Sequence, residues 1–479
     1  MSDRHDDYES PLVTRYAGAP MRRLFSARRR IEIWRDLWIA LASAEHELGL
    51  PITAEQIEAL RGARDDIDFD KAAAYEARFR HDVMAHVHAF GDAAPEARGI
   101  LHMGATSCFV TDNADALVLR EALQRTEVSL ANACAALADF AEAHADVPCL
   151  AYTHFQPAQP TTVGKRACLW LQDLLADLEA VRAAIKRVPF RGSKGTTGTE
   201  NLVPGPLRWR CREKCEELDR LVAKKMGFET PVPVTGQTYP RRSDYDIVAV
   251  LGGVAVSSMR FAHDVRLLSG LRELAEPFEK EQIGSSAMAY KQNPMRTERI
   301  TSLARHVIAL VPEAAMMAGT QWLERTLDDS AGRRIFLPEA FLGVDAVLRL
   351  VTNVARGLHV NTAVARMRLM NELPFMATED ILLRATRAGG DRQELHERVR
   401  QHSLAAKEQV LSGLPNDLLD RLKGDPAFRA LDIDWADLMT PERYTGLASR
   451  QTRLFLVGHA HPALATYQER LGEDASLRV

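Results

Sequence analysis

The stretch Ala114–Val147, ADALVLREALQRTEVSLANACAALADFAEAHADV, decides the fold class. It contains neither Gly nor Pro and is rich in the helix formers Ala, Leu, Arg and Glu. At 1.5 Å per residue it predicts a rod of roughly 50 Å, whereas globular helices average about 11–12 residues. Just before it, Thr111-Asp112-Asn113 offers N-cap chemistry. Similar patterns run from about Thr162 to Val188, Ser243 to Ala275, Met295 to Leu323 and Pro338 to Gly357. Apolar residues fall on more than one face of these rods, as at Leu169, Leu171, Leu174, Leu175 and Leu178, so each must be buried among several others. Upstream, Ile31, Trp34, Trp38, Leu41 and Leu48 recur at helical spacing until Gly49 and Pro51 end the pattern. No strand-rich zone, low-complexity linker or short repeat interrupts the chain. The reading is an all-α protein of three units: an N-terminal helical unit over 1–107, a central long-helix bundle over 108–360 and a C-terminal helical unit over 361–479. Rods this long suggest packing against copies from other subunits.

Composition narrows the class. The chain has 479 residues, of which 46% are hydrophobic, ample for a large core and incompatible with wholesale disorder. Lys+Arg number 61 against 65 Asp+Glu, a net charge of −4 that argues against a general nucleic-acid binder. Six cysteines without a CxxC pair fit a reducing cytoplasm. Cys211 and Cys215 would share a helical face, but no His pair follows at zinc-like spacing. The charged start MSDRHDDYES is no signal peptide. The longest uncharged apolar run, Ile247–Met259, is about a dozen residues, short of a bilayer span. A soluble cytoplasmic protein without membrane or nucleic-acid partners is expected.

Five segments carry residues suited to chemistry. Thr153-His154-Phe155-Gln156-Pro157-Ala158-Gln159-Pro160 holds a loop His, able to donate a proton near neutral pH or simply structural. Gly284-Ser285-Ser286-Ala287-Met288-Ala289-Tyr290-Lys291-Gln292-Asn293-Pro294 reads as a mobile loop of anion-binding donors or as a plain connector. It is neither GxSxG nor SxxK, which weakens a serine-hydrolase reading. Arg80-His81-Asp82-Val83-Met84-Ala85-His86-Val87-His88 invites a metal, yet it is not HExxH and His86 and His88 point to different helical faces. Gly192-Ser193-Lys194-Gly195-Thr196-Thr197-Gly198-Thr199 looks like a phosphate cradle but lacks P-loop spacing. Finally Arg296, Arg299, Arg325, Arg333 and Arg334 surround Leu327-Asp328-Asp329-Ser330, either as ligands of carboxylate and phosphate or as a solvated face.

Taken in order, these segments resemble one family. The 284–294 loop resembles the GSSxMPxKxNP signature of the fumarase/aspartase superfamily, with Ala289 where Pro is usual. Tyr8-Glu9-Ser10-Pro11-Leu12 with Arg15-Tyr16, the Arg80–His86 run, Gly104-Ala105-Thr106-Ser107, the His154 segment, Lys194–Thr199, Thr235-Gly236-Gln237-Thr238-Tyr239 and Glu324–Ser330 all resemble its adenylosuccinate lyase family, animal-type branch. Glu200 stands where an uncharged residue is expected.

The resemblance implies β-elimination of fumarate from adenylosuccinate, giving AMP, and from the succinylocarboxamide ribotide SAICAR, giving AICAR, in purine nucleotide biosynthesis. It implies His154 as general acid and Ser285 as general base, with Lys291 and Asn293 at the developing carboxylate charge. Arg15, Tyr16, Arg299, Ser330 and Arg334 would hold the nucleotide and its phosphate. Arg80, His81, Asp82, Thr106, Ser107, Gln237 and Arg325 would line the rest of the pocket. It further implies no metal or cofactor, and a homotetramer whose active sites draw loops from three chains. A sibling such as argininosuccinate lyase would share the signature loop but lack the nucleotide-binding set. A non-catalytic scaffold would not keep His154, Ser285, Lys291 and Asn293 together.

Overall fold

Each predicted rod is a helix in the computed structural model, which describes residues 6–200, 212–429, 434–472 and 477. The rods span Ser107–Ala143, Val163–Arg187, Arg242–Gly270, Met295–Gly319 and Asp328–Gly357. Their bounds correct the sequence reading in two places. The first rod begins at Ser107, so Thr111-Asp112-Asn113 is not its cap. Asp112 and Asn113 are instead buried and bonded to residues far along the chain. The fifth rod starts at Asp328 and carries Pro338 inside it, although proline forfeits one intrahelical bond.

The rods run alternately up and down, and their end contacts fix the order. Asn113, near the start of the first rod, accepts from Gly192 N–H and donates to the Gly192 carbonyl. Asp112 accepts from Tyr239 N–H at 2.8 Å. The connection from the second rod to the third therefore begins and ends beside the start of the first. At the opposite end, Tyr152 donates to Glu273 at 2.7 Å and Arg296 donates to Asn353 at 2.5 Å. The starts of rods one, three and five thus share one end of the bundle. The starts of rods two and four share the other.

Among the described residues the fold is all-α apart from two short antiparallel pairings. Pro148–Thr153 pairs with Gln156–Thr162, and Leu274–Ala275 with His359–Val360. The first is a hairpin in a segment whose prolines read as loop. Pro157 and Pro160 are tolerated because a two-stranded ladder has only edge strands. The hairpin joins rods one and two at Gly164, where an added Cβ would lie 2.4 Å from the Ala141 carbonyl.

Three hydrophobic cores result among the described residues. One lies in the bundle, one joins the N-terminal helices to the first turns of rod one, and one spans Ala377–Leu438. Residues 456–467 return to the bundle core, where Tyr467 packs under Arg182. The rods Arg242–Gly270 and Met295–Gly319 are long and apolar enough to cross a membrane by length and composition, which the dozen-residue uncharged run did not indicate. Both pack against other rods, with Val248, Leu251, Val307 and Ala314 buried.

Gly164→Ala should destabilise the protein by about 1–3 kcal/mol, the usual cost of overpacking, because backbone rather than a flexible side chain blocks the new methyl. Chemical denaturation of both proteins measures it, and an unchanged midpoint would contradict this close approach.

Candidate active site

Four helices point their N-termini into one cavity of about 530 Å³ at the end where rods one, three and five begin. They are the helices Ala27–Glu47 and Asp82–Ala93 and rods one and five, which reach the cavity through Ser26, His81, Ser107 and Ser330. Helix N-termini carry unsatisfied N–H groups and partial positive charge, so their convergence favours an anion.

The Arg80-His81-Asp82 turn links two helices. Arg80 ends the helix Phe69–Phe79 in the left-handed region, with φ of 55°. His81 caps the next helix: its Nδ1 accepts from Met84 N–H at 3.3 Å. That leaves the proton on Nε2, which donates to Ser107 Oγ at 3.3 Å. Asp82 reaches across to Arg334 at 3.1 Å, joining two helix starts over the cavity. The other histidines of this run turn elsewhere. His86 packs edge-on to Trp34 and Phe69, and His88 lies against Phe79 and Tyr75. Among the described residues no three His, Cys, Asp or Glu side chains form a metal-holding group.

Beneath the cavity lies a buried ion network. Arg241 donates to Asp112 through both terminal nitrogens, at 3.1 Å each, and to Asp329 at 2.5 Å. Asp329 also holds Arg325 at 2.7 Å. Arg333 pairs with Asp244 at 2.7 Å and Asp115 at 2.9 Å, and donates to Tyr239 Oη. Burial pushes the Tyr239 phenol well above its ordinary range, so it stays protonated and donates to Asp244. The network corrects the arginine set. Arg333 faces inward, and Arg296 is spent on Asn353 and Glu279, so neither is a free ligand. Lys194 is likewise buried between Asp219 and Glu200, so its ammonium turns inward and is spent on those carboxylates. Glu200 thereby gains its account as a partner of Lys194 at 2.9 Å. Of the cysteine pair, Cys211 lies outside the described residues.

The cavity gathers Arg80, His81, Asp82, Ser107, Gln237, Arg325, Ser330 and Arg334 from the expected set. Thr106 sits one residue before the first rod with its hydroxyl buried. The structure does not bring the remaining groups there. Arg299, near the start of rod four, lies over Tyr16 at 5.5 Å, and the turn Leu12–Tyr16, which also carries Arg15, packs on rod five. His154 and Phe155 form the two-residue turn of the hairpin, both with positive φ, 54° and 57°. Such turns normally take Gly or Asn, so the chain carries strain that holds an exposed His154 at the far end of the bundle. Ser285 lies between rods three and four, also at the far end. Its Oγ accepts from Met288 N–H at 3.1 Å and Ala287 N–H at 3.4 Å. Asn293 donates to the Gly284 carbonyl at 2.8 Å, and Lys291 is exposed.

Sequence reasoning missed Asp112, Asp115, Arg241, Arg30 and Trp34, which line the cavity. The polar triplet inside an otherwise apolar rod was a signal for Asp112, misread as a cap.

A family model described as "Lyase" matches residues 19–309, and one described as "Adenylosuccinate lyase C-terminus" matches 374–455. A relative from Saccharomyces cerevisiae named adenylosuccinate lyase is 47% identical over 475 residues, 98% of each chain. This chain belongs to the adenylosuccinate lyase family. A relative of the same name from Schistosoma mansoni is 44% identical over the full length of both chains, and one from Pyrococcus abyssi is 30% identical over 91% of this chain and 95% of its own. Among solved structures, the 3-carboxy-cis,cis-muconate lactonizing enzyme of Pseudomonas putida is similar with a TM-score of 0.80 and 25% identity, covering 95% of this chain and 98% of its own. A fumarate lyase from Mesorhizobium sp. BNC1 shares the fold with a TM-score of 0.77 at 22% identity, over 96% and 99%.

Two partly buried histidines, His86 in the helix Asp82–Ala93 and His102 just before rod one, should make stability pH-dependent. Burial pulls His86 and His102 down to about 4, and His102 Nδ1 accepts from the Trp38 indole at 3.0 Å. Folded pKa values below the ordinary 6.5 mean the unfolded chain takes up more protons between about 4 and 6.5, so stability falls as pH drops through that window. His102→Asn keeps an acceptor and suits the left-handed backbone there, φ 63°. Its melting temperature should fall less from pH 7 to 4.5 than that of the unmodified protein. Parallel acid limbs would refute the assignment.

Proposed function

We infer that this chain cleaves adenylosuccinate to AMP and fumarate, and SAICAR to AICAR and fumarate, as an adenylosuccinate lyase of purine nucleotide biosynthesis. The cavity carries this reading. Eight residues expected to bind substrate meet where four helix starts concentrate positive potential, suited to a substrate bearing a phosphate and two carboxylates.

The proposed reaction is an anti β-elimination. Ser285 takes a proton from the succinyl carbon next to a carboxylate, and His154 protonates the departing nitrogen. An unassisted hydroxyl is a poor base, but the two loop N–H groups on Ser285 Oγ favour its alkoxide. The intermediate bears two negative charges on one carboxylate, where Lys291 and Asn293 are the proposed donors; losing one such donor typically costs about 3–4 kcal/mol. Arg15, Tyr16, Arg299, Ser330 and Arg334 are assigned to the nucleotide and phosphate, and no metal or cofactor takes part.

We further propose a homotetramer with shared sites. What supports it is distance. Rod one has 37 residues and lines the cavity from Ser107 only as far as Leu119, so the rest of the rod sets the His154 hairpin at its end roughly 35 Å or more from the cavity of its own chain. The Ser285 loop precedes rod four at that same far end. An antiparallel second copy would bring these loops to the cavity. Exposed Leu169, Val256, Leu267, Met316 and Ile335 on the rods offer apolar area for such packing. Division near 107 and 360 is proposed on the three separate cores, with 456–467 joining the central one. A cytoplasmic location is proposed as well, supported by the buried free thiols of Cys108, Cys134, Cys149 and Cys168.

Purified protein should change the ultraviolet absorbance of adenylosuccinate; no change would sink the reading. Ser285→Ala should lose ~100–10,000-fold in kcat, the usual range for a proton-transfer group, while still binding substrate. Near-normal kcat would remove Ser285 from the chemistry.

His154→Ala and Ser285→Ala, each inactive alone, should rescue one another after joint denaturation and refolding. Random assembly restores about a quarter of the sites when the two groups come from different subunits. A mixture that stays dead, with mixed tetramers confirmed by mass, would place both groups in one chain's site.

A further inference from the structure

We propose that Tyr152 and Glu273 form a positioning pair that sets where the hairpin presents His154 for the reaction. The proposal rests on the lyase reading, which gives His154 a proton to deliver. A lone two-stranded hairpin is marginal in water, and this one closes on His154 and Phe155, both at positive φ. Its ladder also shifts register between Leu150 and Tyr152, so cross-strand bonds alone fix the turn poorly. The Tyr152 hydroxyl, two residues before His154, ties the turn to the bundle. It donates to Glu273 at 2.7 Å, and the Tyr152 ring lies 5.8 Å from that of Phe155. Burial and then the bond to Glu273 push the phenol above its usual range, so it remains the donor. Glu273 is itself held firmly. It follows rod three and is 2% exposed; its N–H donates to the Leu268 carbonyl and its carbonyl accepts from Asn361 N–H, each at 2.9 Å. Its carboxylate lies 3.5 Å from Arg368 and 3.9 Å from Arg166. Arg166 in turn donates to the Leu150 carbonyl of the hairpin at 2.6 Å. Buried ion pairs are a weak source of net stability; what this cluster supplies is a fixed acceptor beneath the turn.

Tyr152→Phe removes one hydroxyl and keeps the ring. Its kcat on adenylosuccinate should fall roughly ten- to a hundredfold, the order expected when a reacting group is misplaced by about 1 Å, with KM nearly unchanged. Glu273→Gln keeps an acceptor but drops the charge that strengthens the bond, and should lose a smaller factor of kcat. Near-unmodified kcat in Tyr152→Phe, or a loss expressed in KM by either variant, overturns the pair. Subunit mixing then shows which loop carries the defect. Refolded jointly with Ser285→Ala, Tyr152→Phe supplies intact Ser285 loops and borrows intact hairpins, so activity should rise above that of the two refolded apart. Refolded with His154→Ala it meets no intact hairpin, and activity should not rise. Any other pattern, where His154→Ala and Ser285→Ala revive each other, overturns the assignment to the hairpin. Where that reference mixture stays dead, shared sites are overturned, and the split of kcat from KM alone upholds or overturns the pair. An unmodified protein that leaves adenylosuccinate uncleaved overturns the lyase reading and the pair with it.

Discussion

An α-helix advances 1.5 Å per residue and does not fold back, so a rod of 37 residues separates what lies at its two ends. The bundle is built from five such rods running alternately, and every connection is thereby assigned to one end or the other. The segments around Gly192, Gln237 and Glu324 fall at the cavity end. The hairpin bearing His154 and the loop bearing Ser285 fall at the far end. No local rearrangement of a loop closes tens of ångströms, so on the proposed mechanism the groups for proton transfer would meet the cavity through another copy of the chain. Oligomerisation is then part of the proposal, and the exposed apolar residues of the rods would be its packing surface.

The cavity end meets a different demand. Asp112, Asp329 and Arg241 lie on or beside rods one, five and three, and their ion pairs are buried. Such pairs add little net stability once desolvation is counted, but they are costly to break singly. Their geometry fixes the relative height of three rods and holds Arg325 by its partner Asp329. Arg334, by contrast, pairs with half-exposed Asp82 at the surface of the cavity, where the proposed phosphate would compete for it. Buried arginines set the frame, and the accessible ones are those proposed as ligands.

Strain is placed where position matters. His154 and Phe155 occupy the left-handed region that turns usually give to Gly or Asn, and Arg80 does the same between two helices that start and end at the cavity. Each costs energy that only surrounding packing can sustain. The close approach at Gly164 and the bond from Tyr152 to Glu273 supply that packing for the hairpin.

By itself the sequence determined the rods, the all-α class and the family. Apolar periodicity and the absence of Gly and Pro are local properties, and a run of motifs in fixed order needs no coordinates. It also singled out Arg80, His81, Asp82, Ser107, Gln237, Arg325, Ser330 and Arg334, which the fold brings together. Only the tertiary structure decided which polar residues point inward. Asp112 looked like a cap, Arg333 like a ligand and Lys194 like part of a phosphate cradle, because the role of each depends on a partner. Arg241 is 129 positions from Asp112, and Asp219 is 25 from Lys194. The short hairpin escaped for a related reason, since its prolines are excluded from sheets in general but not from a ladder made wholly of edges. Periodicity reports the face a residue occupies; the charge waiting opposite that face is set by the fold.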